Sequence, residues 1–100
     1  MKAERRRFIR APGMGKVKLH WRTPEGFTYQ EVAACLDISR TGAKLELRSA
    51  IPQGTMLQLE SRDLHIAGVA YVRHCKPRGM KFTVGVEFLG GMEWSRPVAR

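Results

Sequence analysis

Cysteine is scarce: only Cys35 and Cys75 occur in the 100 residues. That is too few for a disulfide framework, and it fits two thiols in a reducing compartment, so a cytoplasmic location is expected. The histidines are His20, His65 and His74, and no Cys-x-x-Cys or His-x-x-x-His spacing occurs. No zinc site is expected, because adjacent His74 and Cys75 on an extended segment would face opposite ways. No run of 18 apolar residues exists, which excludes a membrane-spanning helix. The basic opening is not followed by an apolar segment, which argues against a secretory signal. Aromatic residues make up only 8%; apart from Tyr29 and Tyr71, few are left to stack on nucleic-acid bases. No Ser-His-Asp or Cys-His arrangement stands out, and Glu60 and Asp63 fall in a polar turn. No catalytic residue is assigned, and enzyme activity is not expected. Acidic residues are the scarcest charge, nine against 18 Lys and Arg, for a net charge of +9 and a pI near 10.4. Such an excess biases the chain toward phosphate-bearing partners.

What is present is alternation. One hundred residues suffice for a single domain with one modest core. In VKLHW, Val17, Leu19 and Trp21 alternate with Lys18 and His20, the period-two signature of a half-buried strand. A Pro24–Gly26 turn follows, then FTYQEVAAC, AKLEL, TMLQLES, LHIAGVAYVRHC and KFTVGVEFLGG, each extended and separated by Pro or Gly turns. Within LHIAGVAYVRHC, Gly68 suggests a bulge or tight bend, and KPRG is expected to break the chain. Trp21, Phe82 and Phe88 fall on the apolar phase and belong to the core. Six short strands predict an all-β barrel or sandwich. Pro12, Gly13 and Gly15 break regular structure, so the opening predicts a mobile arm over residues 1–13. The barrel is expected over 14–92 and a tail over 93–100.

Two short segments carry the chemistry. The first, ERRRFIR, spaces Arg6 and Arg10 as R-x-x-x-R. The second, DISRTG, spaces Asp37, Ser39 and Gly42 as D-x-S-x-x-G. On an extended backbone Asp37 and Ser39 share a side while Ile38 turns inward, and Gly42 sits where the chain tightens, suited to a residue free to take positive φ. A carboxylate accepts the N–H groups on guanine's Watson–Crick edge, and a guanidinium fork matches its O6 and N7. Surplus arginine suits phosphate.

ERRRFIR followed by DISRTG resembles the PilZ domain family, whose signatures are R-x-x-x-R in an N-terminal loop and D/N-x-S-x-x-G at a strand end. GVAYVRH and VGVEF are also similar to strands of that family. The resemblance covers about Glu4 to Gly90. It implies a six-stranded antiparallel β-barrel that binds the bacterial second messenger cyclic di-GMP, with no other cofactor. Arg6 and Arg10 then clamp guanine and phosphate, Asp37 and Ser39 face the ligand, and Gly42 supplies a tight backbone. Arg5 precedes the pair at a position that favours an intercalated pair of ligands over a single molecule. Arg40, Tyr71 and Arg73 are secondary candidates. The family's frequent C-terminal helix has no counterpart here, since WSRPVAR is too short. Binding is expected to order the arm, whose arginines repel one another when free. Two other readings are a small basic barrel that binds nucleic acid and a PilZ-like protein-interaction module without nucleotide binding.

Overall fold

Period-two sequences fold into strands here with little exception. The structure, a computed structural model, describes residues 15–90 and the backbone of residues 93–94. The strands are β1 (Lys16–Arg22), β2 (Thr28–Ile38), β3 (Gly42–Leu47), β4 (Met56–Ser61), β5 (Ile66–Arg78), β6 (Lys81–Phe88) and β7 (Glu93–Trp94). Among the described residues there is no helix. In β1, Val17, Leu19 and Trp21 point inward while Lys16, Lys18 and Arg22 stay exposed.

Neighbouring strands run in the order β4-β1-β2-β3-β6-β5, and β4 also pairs with β5. That last pairing closes the sheet, so the six long strands form the expected antiparallel barrel. Closure removes the unpaired edges that would template aggregation. The short β7 pairs antiparallel with Ile66 and Ala67 of β5. Inside, Leu19, Leu45, Ile51, Leu57, Val72 and Val84 are fully buried. Burying each such side chain stabilises the barrel by roughly 1.5–3 kcal/mol. Phe82 and Phe88 pack against this cluster from its margin, and Trp21 belongs to it.

Two bulges steer the barrel wall. In β2 the register with β3 slips between Cys35 and Asp37, leaving Leu36 as the extra residue. The buried phase shifts from Ala33 and Cys35 to Ile38, which keeps Asp37 off the core. In β5 the register with β6 slips between Val72 and His74, so Arg73 is the extra residue. Arg73 and His74 are consequently both exposed, while Cys75 turns back against the core. The bulge expected at Gly68 is absent, for Gly68 pairs in regular register with Leu59. KPRG breaks the chain only at its last residue. Pro77 and Arg78 pair with Phe82 and Lys81, and the strand reverses only at Gly79 and Met80, where Gly79 takes a φ of 65°.

Candidate functional site

The site is built outward from the start of β1. Ser61, a buried polar residue at the end of β4, donates its hydroxyl to the Lys16 carbonyl at 2.7 Å and accepts the Leu64 N–H at 3.0 Å. Asp63 accepts the Lys16 N–H at 3.0 Å. The Gly15 carbonyl in turn accepts the Cys35 N–H at 3.0 Å. Gly15 packs so tightly on Asp63 and Leu64 that an added Cβ would lie 2.9 Å from the Asp63 Cβ. These bonds fix where the chain enters the barrel: beside Cys35, two residues before Asp37.

Asp37 and Ser39 flank the buried Ile38, as the alternation requires. Asp37 Oδ1 accepts the Ile38 N–H at 2.9 Å. The Ser39 hydroxyl accepts the Thr41 N–H at 3.2 Å and lies 3.3 Å from the Thr41 hydroxyl. The Ser39 N–H bonds the Gly42 carbonyl at 2.9 Å. Both side chains therefore stiffen the β2–β3 turn through local backbone bonds, the behaviour of Asp and Ser at turns. Among the described residues the hydroxyl's partners are Thr41 and Gly42. The turn therefore offers fixed hydrogen-bonding groups. Arg40 is exposed at the tip, and Lys44 is the register partner of Asp37.

Gly42 departs from the expectation of positive φ, which among the described glycines is taken by Gly26, Gly54 and Gly79. Its role is close approach. A Cβ here would collide with the Val86 carbonyl oxygen of β6. Only glycine lets the turn settle on β6, where Phe88 donates its N–H to the Thr41 carbonyl at 2.8 Å.

From Gly42 a register row crosses the outer wall: Gly42 pairs with Glu87 of β6, and Glu87 with Tyr71 of β5. With strands about 4.8 Å apart, the row spans roughly 10 Å. The Tyr71 hydroxyl donates to Glu87 Oε1 at 3.0 Å, and Arg73 Nη1 donates to the same oxygen. The Tyr71 bond first, and the Arg73 bond next, hold the Glu87 carboxyl below the usual carboxylate range, while Glu87 raises Arg73. The structure thus brings Asp37, Ser39, Arg40 and Gly42 together on one hairpin, and Tyr71 and Arg73 onto the wall beside it. Arg5, Arg6, Arg10 and the arm over 1–13 lie outside the described residues, as do positions 95–100 of the tail.

Glu87 is the residue the sequence did not single out. It is one polar position in VGVEF, and its standing comes from pairing across β3, β6 and β5, which linear spacing does not reveal.

The family model described as the PilZ domain matches residues 4–93. The chain belongs to the PilZ family. No curated protein matches it. The match begins at Glu4, so it spans the arginine segment as well as the barrel, and it joins the two signatures in one PilZ domain. PilZ is a binding and receptor family and not a catalytic one, in keeping with a face of hydrogen-bonding groups. Among the described residues no three His, Cys, Asp or Glu side chains cluster to hold a metal ion.

Proposed function

We propose that this PilZ domain is a cytoplasmic receptor for cyclic di-GMP that responds by ordering its N-terminal arm. The observation that carries the reading is the entry point at Gly15, bonded to Cys35 beside the D-x-S-x-x-G hairpin. Arg10 is five residues upstream, and five extended residues reach about 17 Å. Arg6, nine residues upstream, reaches about 30 Å. Both can therefore fold back over the hairpin. In this reading Asp37 accepts from a guanine edge, Ser39 and the turn meet the ligand's backbone, and Arg6 and Arg10 clamp base and phosphate. Tyr71 and Arg73 border the ligand from β5. Arg5 favours an intercalated pair.

The test is thermal unfolding with saturating cyclic di-GMP. At a hundred times its dissociation constant, a ligand stabilises the native state by about 2.7 kcal/mol. For a domain of this size that raises Tm by roughly 10–20 °C. Arg6→Ala and Arg10→Ala should each weaken binding at least tenfold, since a charge-assisted hydrogen bond contributes about 1.5–3 kcal/mol. Unchanged affinity in both variants would remove the arm from the site.

A second reading, a protein-interaction module, draws on the exposed Phe27, Tyr29, Val32 and Met56. A wild-type melting curve indifferent to cyclic di-GMP would favour it.

A further inference from the structure

Glu87 poses a problem for a dianionic ligand. It sits one strand from Gly42, and glycine has no side chain to screen it from the hairpin. A carboxylate there repels phosphate and at the same time occupies a cation that phosphate could use. The guanidinium of Arg73 is directed onto Glu87 Oε1, where the Tyr71 hydroxyl also donates. Both partners remain substantially open to solvent, Arg73 at 57% and Glu87 at 40% of side-chain exposure. The pair is therefore accessible and exchangeable, not a buried clamp. The β5 bulge leaves Arg73 as the residue without an opposite number on β6. Bulges re-aim side chains in this way beside functional sites.

We propose that Glu87 is a built-in competitor for the ligand: it holds Arg73 in the free protein and surrenders it to a phosphate when the dinucleotide binds. This rests on the cyclic di-GMP reading and adds to it a residue that sets affinity by occupying a cation. Tyr71 completes the device. Its hydroxyl keeps one hydrogen bond to Glu87 after Arg73 leaves, so the carboxylate is not stranded. A receptor built this way binds more weakly than its arginine content allows, and its threshold can be moved by a single neutral substitution.

The experiment is a double-mutant cycle read by calorimetric titration with cyclic di-GMP. Exposed ion pairs are weak and solvent-screened couplings. Glu87→Gln, which removes the charge at constant shape, should therefore tighten binding by roughly 1.5- to 5-fold. Arg73→Ala should weaken it. In the Arg73→Ala background, Glu87→Gln should lose most of its gain, because no guanidinium remains to be released. An equal gain in both backgrounds would make Glu87 a bulk charge and overturn the proposal. So would unchanged affinity of Glu87→Gln in a wild-type protein that binds. If the wild type does not bind cyclic di-GMP at all, the receptor reading fails and the proposal falls with it. Melting curves of the three variants confirm that each is folded.

Discussion

Gly42→Ala places a methyl group against the Val86 carbonyl oxygen, well inside the 3.0 Å that real Cβ contacts keep to. The obstacle is backbone in the middle of a strand, so no side chain can rotate away. Relief requires β3 to part from β6 at the Gly42–Glu87 pair. That movement loosens the Phe88-to-Thr41 bond at 2.8 Å and the Ser39-to-Gly42 bond at 2.9 Å. Overpacking of this kind costs about 1–3 kcal/mol, and each weakened backbone bond up to about 1.5 kcal/mol. Lost chain entropy of the unfolded alanine variant returns about 0.4–1 kcal/mol. At the middle of each range the net loss is about 3 kcal/mol, or a Tm drop of roughly 12–24 °C. Gly85→Ala is the matched control. Its added Cβ collides too, but with the imidazole of His74, an exposed side chain free to swing outward. It should change stability by less than about 1 kcal/mol. Differential scanning calorimetry of both variants decides the matter. Equal destabilisation, or an unshifted Gly42→Ala, would refute the close-approach account. Because the turn moves with Gly42, that variant should also lose cyclic di-GMP affinity at least tenfold.

Ser61→Ala removes the hydroxyl that ties the Lys16 carbonyl to the Leu64 N–H. It should cost about 1–3 kcal/mol in denaturant unfolding, and a loss under about 0.5 kcal/mol would show that β1 is anchored otherwise. Cys35 is pushed up to about 11 by burial, against an ordinary thiol at 9.0. Its folded pKa lies above the unfolded one, so its contribution to stability is intact below about pH 9 and is lost as pH rises toward 11. At pH 8 a thiol reagent should label the half-buried Cys75 first and reach Cys35 only through unfolding; equal labelling rates would contradict its burial. Glu87, held low by Tyr71 and Arg73, has the opposite sign. Its contribution is present above the ordinary value of 4.5 and is lost as pH falls through the depressed value, so Glu87→Gln should flatten the acid limb of the stability curve.

The alternation of Val17, Leu19 and Trp21 announces β1 directly, because a half-buried strand writes its two faces into sequence. The bulges at Leu36 and Arg73 are harder to see. Each shifts the buried phase by one residue, and the trace is a polar residue, Asp37 or His74, falling where strict alternation would bury it. Gly68 misleads because a glycine in a strand has several causes, while Pro77 is tolerated in a ribbon that projects past the core. That Asp37, Ser39 and Gly42 share one hairpin was legible in D-x-S-x-x-G. On the wall, Tyr71 and Arg73 were already candidates, but Glu87 was not legible, since it meets Gly42 and Tyr71 only through pairings between strands far apart in the chain.

Calorimetric titration of the whole chain with cyclic di-GMP, with GTP and cyclic di-AMP as controls, tests the central claim most directly. The account predicts saturable binding of cyclic di-GMP alone, with two ligands per chain if Arg5 holds an intercalated pair. No heat at millimolar ligand, or equal affinity for all three nucleotides, would contradict it.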